Sequence, residues 1–200
     1  MIIVFIFARA NVPQTSPSAS SNINGKRDLI ESFDEYRERV LGYLGNCDPI
    51  KVQQATASKL KSLISRVDPK VLTKRPKPDK WSIVEIIIHM ADAELAMAWR
   101  IRNMFATPGV ELQWFDQDIW ANVLEYGAKD PIRSIELFKL LRESNLELLL
   151  SVPRESWDLC FGIHQVRGRQ TVSEFVELEA AHDLSHIRQI EQILESANKE

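Results

Sequence analysis

The chain has 200 residues, of which 44% are hydrophobic and 26% charged, a composition typical of a folded globular protein and too apolar for a disordered one. Its net charge is −3 and no basic face is apparent, so we expect no nucleic-acid partner. The two cysteines, Cys47 and Cys160, lack the CxxC spacing of a metal site and are too few for a disulfide framework, which favours free thiols in a reducing, cytoplasmic setting.

The first 25 residues differ in character from the rest of the chain. Residues 1–8 are almost all apolar, but the first basic residue, Arg9, follows this stretch, whereas a signal peptide carries its positive charge in front. A membrane span needs about 20 apolar residues, so we expect no membrane partner. Residues 11–25 are rich in proline, serine and asparagine. We interpret residues 1–25 as a disordered leader or a mis-assigned start, and residues 26–200 as the folded domain.

Apolar residues recur at steps of three and four along most of the remaining chain, which is the spacing of amphipathic helices. The predicted helices cover residues 28–44, 49–66, 82–105, 131–150 and 171–197. The first of these is a short extra helix, and the other four are long. Ser82 with Glu85, and Thr171 with Glu174, are predicted to form capping boxes at two of the helix starts.

The segments between the helices are shorter and less regular. Residues 68–80 contain three prolines and five basic residues, which predicts an extended connector rather than a helix. The aromatic segment 114–120 is expected to begin a further helix, and residues 153–170 to form a small hairpin or an ordered loop. No run of strands is long enough to build a sheet. The predicted fold is therefore an all-α four-helix bundle.

The final helix carries a histidine pair with the spacing of metal ligands. His182 and His186 lie one helical turn apart on the same face, so both imidazoles can reach one ion. Stepping by about 100° per residue places both on the flank of the apolar arc, facing neighbouring helices. A pair of this kind also arises by chance, and imidazoles at the edge of a core often only form hydrogen bonds.

His89 lies in the middle of the helix 82–105, whose circumference is mostly apolar. The same angular arithmetic places Glu85, Asp92 and Arg100 on one narrow polar stripe with His89. Burying such groups without partners costs several kcal/mol. Ion pairs, a bound metal or a wet pocket would remove that cost, and the capping box already accounts for Glu85.

Three imidazoles leave a coordination position open, which is the arrangement of a catalytic rather than a structural zinc site. Nickel and iron(II) also accept imidazole ligands, so the sequence leaves the metal open. Asp92 and Asp183 are candidates to orient the second ring nitrogen of a ligand. Equally, either carboxylate can be the buried partner of Arg100 or Arg142.

Two further groups of residues are candidates for lining the site. His164, in the segment before the last helix, can be a ligand, a proton donor or a hydrogen-bonded anchor, and we favour the anchor. For proton handling, His164 and Asp92 are the candidate catalytic residues. The five tryptophans are expected in the core, although Trp114 and Trp120 could wall a pocket.

Several motifs together resemble the DinB-like, or YfiT-like, superfamily. They are Asp48-Pro49, Arg75-Pro76-x-Pro78-x-Lys80-Trp81-Ser82-x-x-Glu85-x-x-x-His89-Met90-x-Asp92-x-Glu94, Gly168-x-x-Thr171 and His182-Asp183-x-x-His186-x-x-Gln189-Ile190. The resemblance spans roughly residues 28–195 and implies an up-down-down-up bundle with a divalent metal held by His89, His182 and His186. It also implies a metal-dependent enzyme, either a thiol-dependent S-transferase or isomerase, or a hydrolase.

Two functions remain open from the sequence. The first is a metal-dependent enzyme that activates a thiol or water nucleophile for a small-molecule substrate, with S-transfer using a low-molecular-weight thiol favoured over hydrolysis. Arg100 or Arg142 would hold a substrate carboxylate. The second is a non-catalytic bundle related to stress or dimerisation. A homodimer through a helix face is expected for either function.

Overall fold

The structure is a computed structural model and describes residues 33–165 and 167–199. The predicted leader, residues 1–25, and the first residues of the predicted helix 28–44 lie outside these ranges. The helices are α1 (Phe33–Leu44), α2 (Pro49–Ile64), α3 (Pro69–Thr73), α4 (Ile83–Ala106), α5 (Gln117–Val123), α6 (Pro131–Ser151) and α7 (Val172–Ala197), and the strands are β1 (Val110–Leu112), β2 (Phe161–His164) and β3 (Gly168–Thr171).

The four long helices α2, α4, α6 and α7 form the bundle. Both α2 and α4 pack against α6 and α7, and α1 packs on the outside of α7. One core cluster joins the starts of α4 and α6 to the ends of α2 and α7, and a second cluster joins the ends of α4 and α6 to the starts of α2 and α7. Hence α4 runs parallel to α6 and antiparallel to α2 and α7, which confirms the up-down-down-up order.

Helix starts in this chain are set by local capping, as predicted. The side chain and backbone of Ser82 exchange hydrogen bonds with Glu85, and Thr171 and Glu174 do the same at the start of α7. Both predicted capping boxes are therefore confirmed. None of the helices within residues 33–165 and 167–199 combines the length and the hydropathy of a membrane-spanning segment.

Two predictions about the connecting segments were wrong. The connector 68–80 is not extended throughout, because Pro69–Thr73 forms the short helix α3. Its start is stabilised by Asp68, whose carboxylate accepts a hydrogen bond from the Lys70 backbone N–H, and Pro69 has the φ angle that a first helical turn requires. A small sheet is also present: β2 and β3 form the antiparallel hairpin considered above, and β1 pairs in parallel with β2.

A buried polar cluster joins all four bundle helices at mid-height. The Arg142 guanidinium of α6 contacts Asp183 of α7 at 2.5 Å and Glu94 of α4 at 2.8 Å, and donates to the backbone oxygen of Gln53 in α2. Thr56 of α2 donates a further hydrogen bond to Asp183. The side chains of Arg142, Glu94 and Asp183 are at most 3% exposed. The two carboxylates thus share one buried cation.

Glu85 has a structural task at the start of α4. It accepts hydrogen bonds from the backbone and hydroxyl of Ser82 and forms an ion pair with Arg75. Burial alone raises the pKa of Glu85, but the bonds from Arg75 and Ser82 outweigh burial and lower this pKa below its ordinary value of 4.5. A carboxylate of this kind stabilises the fold while it is ionised.

Replacing Glu85 by glutamine is therefore expected to destabilise the protein at neutral pH by about 1 kcal/mol, the size of a capping interaction. Because the pKa of Glu85 is lower in the folded protein, its contribution is present above the ordinary pKa and is lost as the pH falls through the folded value. The difference in free energy of unfolding between wild type and Glu85→Gln, measured in urea from pH 7 to pH 3, should shrink below about pH 4.5. Glu147→Gln, an exposed change on α6, serves as the control. A difference that stays constant to pH 3 would contradict this role.

Candidate metal centre

Three imidazoles from two helices converge at one point beside the core. The Nε2 atom of His182 lies 3.1 Å from Nε2 of His89 and 3.0 Å from Nε2 of His186. All three ligand atoms lie within 4.8 Å of one another. His89 lies on α4. His182 and His186 lie on adjacent turns of α7, which runs antiparallel beside α4. His89 is buried, and His182 and His186 are partly buried.

These distances fit a shared ion better than a hydrogen-bonded chain of rings. Two nitrogens bound to a tetrahedral zinc at about 2.0–2.1 Å lie about 3.3 Å apart, close to the separations seen here. A ring nitrogen has a single in-plane position, either one lone pair or one N–H, and so makes one good hydrogen bond. Nε2 of His182 nevertheless faces two other ring nitrogens. An ion in the centre would satisfy all three.

The protonation of the three rings also suits a metal site. Burial lowers the pKa of His89 and His182 far below the ordinary value, and the neighbouring rings lower it further. Burial likewise lowers the pKa of His186, against the effects of Gln189 and Asp183. The rings are therefore neutral at neutral pH, the form that binds metals.

Gln189 orients one of the three rings. Its side-chain oxygen lies 3.1 Å from Nδ1 of His186, and because an amide oxygen only accepts, Nδ1 must carry the hydrogen. The lone pair of His186 is then on Nε2, which points into the cluster. Hydrogen bonds of this kind to the outer nitrogen are characteristic of metal-binding histidines.

A cavity of about 430 Å³ opens beside His89 and His182. Such a volume is within the range of small-molecule sites. Its wall is formed by α1, α4, the β1–α5 connection, the β2–β3 hairpin and α7. The charged and aromatic side chains in this wall include Tyr36, Arg100, Trp114, Phe115, His164, Arg167 and Glu179. The imidazole cluster is thus open to the cavity on one side and packed against the core on the other.

Residues 53–190 match the model of the DinB superfamily. This match covers more than half of the chain. The chain belongs to the DinB superfamily. The resemblance drawn from the Trp81–Glu94 and His182–Ile190 motifs is therefore confirmed.

This DinB-superfamily chain is similar to one known protein in sequence and to another in structure. "Putative metal-dependent hydrolase OB0413" from Oceanobacillus iheyensis is 24% identical over 142 residues, which make up 70% of this chain and 80% of the relative. YfiT from Bacillus subtilis is described as "a probable metal-dependent hydrolase with an unusual four-helix bundle topology". Its structure matches with a TM-score of 0.70 at 17% identity, covering 88% of this chain and 94% of YfiT. At that identity the likeness establishes the four-helix bundle fold.

Two of the other predicted residues of this DinB-superfamily chain line the cavity. His164 lies on β2, where its Nδ1 accepts a hydrogen bond from the backbone N–H of Arg167 at 3.3 Å, which corresponds to the anchor interpretation. Burial, with the nearby charges of Arg167 and Arg100, lowers the pKa of His164 to about 4. Arg100 donates to the Gln113 backbone oxygen at 2.5 Å, and its guanidinium lies over two phenylalanine rings.

Four predicted residues lie apart from the imidazole cluster. Asp183 and Arg142 belong to the buried cluster at mid-height, so Asp183 adopts the alternative of a partner for Arg142 and orients no imidazole. Asp92 accepts a hydrogen bond from the Tyr126 hydroxyl at 2.6 Å and does not line the cavity. Glu85 caps α4. The predicted roles of Asp92 in proton transfer and of Arg142 in binding a carboxylate have no support in this geometry.

Three residues of the site were not predicted from the sequence. Gln189 stands in the His182–Ile190 motif, and its position three residues after His186 is a signal that could have identified it. Glu179 lies three residues before His182, so the same helical spacing places it one turn away on the cavity side. Arg167 reaches the cavity only because the β2–β3 turn folds back, which no local pattern indicates. Trp114 lines the cavity as considered, whereas Trp120 stacks on Phe115 and packs against the core.

Proposed function

We propose that the chain is a metal-dependent enzyme in which His89, His182 and His186 hold one divalent ion at the inner end of the cavity. The observation that carries this proposal is the approach of two ring nitrogens to the single in-plane position of His182 Nε2. Zinc, nickel and iron(II) all suit three neutral imidazoles. An ion held by three imidazoles lowers the pKa of a water or thiol at the remaining position and so provides a nucleophile near neutral pH.

The residues of the cavity wall would bind and orient a small-molecule substrate. Trp114 and Phe115 present ring surface to the cavity, and Arg100 and Arg167 present positive charge. The guanidinium of Arg100 is held in place by Gln113 and Phe115, so it is ready to meet a carboxylate without first losing side-chain freedom.

Water is the first candidate nucleophile, because the relatives described above are named as metal-dependent hydrolases. The second candidate is a low-molecular-weight thiol, as the thiol-dependent S-transfer predicted above requires. The observation that favours it is the pair Arg100 and Arg167 on one wall, because small thiol cofactors carry carboxylates that a guanidinium binds well.

The test is to supply purified protein with zinc, nickel or iron(II), measure the bound metal, and assay two reactions side by side. One assay follows hydrolysis of p-nitrophenyl esters, and the other follows conjugation of a small thiol to an electrophile such as monochlorobimane. We expect about one ion per chain and metal-dependent turnover in one of the assays. Less than about 0.2 ion per chain would contradict the proposal. A retained ion without turnover in either assay would favour the non-catalytic bundle instead.

A further inference from the structure

Glu179 lines the cavity, and it is the only carboxylate of α7 that does so. It does not belong to the buried cluster around Arg142. It lies three residues before His182, so its side chain projects from the same face of α7, one turn towards the helix start. Its carboxylate has no hydrogen bond or ion pair within residues 33–165 and 167–199. A partly buried carboxylate with no direct partner is unusual, because its desolvation is not offset locally.

The charged and titratable groups around Glu179 come from several elements, and α1 contributes the neutral side chain of Tyr36 to the same cavity. Negative charge is contributed by Glu94 of α4, by Asp183 of α7 and, on the cavity wall, by Asp116 and Asp118. Positive charge is contributed by Arg100 of α4, Arg142 of α6 and Arg167, and the neutral rings of His164 and His182 also face the cavity. Arg142 forms its ion pairs with Glu94 and Asp183, and Arg100 donates its hydrogen bond to the backbone oxygen of Gln113. Neither guanidinium is bonded to Glu179.

The result is a carboxylate suited to proton exchange. Burial and the neighbouring carboxylates of Glu94 and Asp183 disfavour the charged form more than Arg142 and Arg100 favour it, and they raise the pKa of Glu179 to about 7. A group with a pKa near the working pH is an efficient general base, since it is deprotonated often enough to accept a proton and holds it firmly enough to deliver it.

We propose that Glu179 is the proton-transfer residue of the cavity, which rests on the proposed function above. The O–H bond of a water, or the S–H bond of a thiol, breaks as the nucleophile attacks the electrophilic carbon of the substrate. The bonding electrons stay on oxygen or sulfur and form the new bond to carbon, while the proton passes to a carboxylate oxygen of Glu179. As the bond to the leaving group breaks, Glu179 returns this proton to the leaving atom and is ionised again.

The first test measures the proton on Glu179 itself. Protein labelled with ¹³C at the glutamate side-chain carboxyl is titrated by NMR from pH 4 to pH 9. One glutamate resonance should titrate near pH 7, should vanish in Glu179→Gln, and should persist in Glu177→Gln, which removes an exposed carboxylate of the same helix outside the cavity. In the metal-free protein, the absence of such a resonance, or its persistence in Glu179→Gln, would overturn the proposal.

The second test separates a catalytic role from a structural one. In zinc-loaded wild type, turnover of the ester or thiol probe should rise with pH as Glu179 is deprotonated. Glu179→Gln should bind about one zinc but turn the probe over about 100-fold more slowly, without that rise. Glu177→Gln, which removes an exposed carboxylate of α7 outside the cavity, should keep both the rate and the pH profile.

The two tests also keep this proposal distinct from the proposed function. Glu179→Gln with a wild-type rate and pH profile would overturn the role of Glu179 and leave the metal-dependent enzyme standing. Loss of zinc from wild type would instead contradict the metal centre, and the carboxyl titration would still decide on Glu179.

Discussion

Replacing His182 by alanine is expected to reduce bound metal from about one ion per chain to less than about 0.2, and to abolish metal-dependent turnover. His182 is the central ring of the cluster, since its Nε2 faces both other imidazoles. Two rings with the remaining positions taken by water hold a divalent ion far more weakly than three. Metal analysis of protein purified after growth with zinc, nickel or iron measures the effect directly.

Two matched variants sharpen that experiment. His164→Ala removes a histidine of the same cavity that lies outside the cluster, and should retain the metal. Gln189→Leu removes the hydrogen bond that orients His186, and should weaken metal affinity by about 10–100-fold without abolishing it. If His182→Ala kept a full ion, or if His164→Ala lost it, the assignment of the ligands would be wrong.

Replacing Arg142 by alanine is expected to destabilise the fold by about 3–5 kcal/mol. The change leaves the carboxylates of Glu94 and Asp183 close together, buried and without their cation. Breaking a buried ion pair in this way costs more than the pair itself contributes, because the remaining charge stays desolvated. Thermal unfolding followed by circular dichroism should show a drop in Tm of about 10 °C.

The control and the rescue for Arg142 come from the same cluster and helix. Arg133→Ala removes an exposed arginine of α6 and should change the free energy of unfolding by less than about 0.5 kcal/mol. The triple variant Arg142→Met, Glu94→Gln and Asp183→Asn removes all three charges together, and much of the lost stability should return. A small effect of Arg142→Ala, or no recovery in the triple variant, would show that charge balance at this point does not hold the helices together.

How much of the fold was predictable depended on the range of the interactions involved. The capping boxes at Ser82 and Thr171 were predictable because capping joins residues three apart, and the long helices because apolar spacing repeats within one element. Strand β1 was not predictable, because it is three residues long and its partner β2 lies about 50 residues later. The helix α3 was missed because three prolines in 68–80 outweighed the Asp68-Pro69 signal for a helix start.

For the metal centre, the sequence by itself determined which residues were available. Helical spacing placed His182 and His186 on one face of α7 and His89 on a polar stripe of α4. Only the tertiary structure decided that these faces meet, because the antiparallel packing of α4 and α7 brings together residues that are 93 positions apart. The same packing gave the charged residues their partners, assigning Asp183 to Arg142 and Asp92 to Tyr126. The helix packing also left the Glu179 carboxylate in the cavity without a direct partner, because charge pairing depends on distances between helices. No pattern along a single helix specifies those distances.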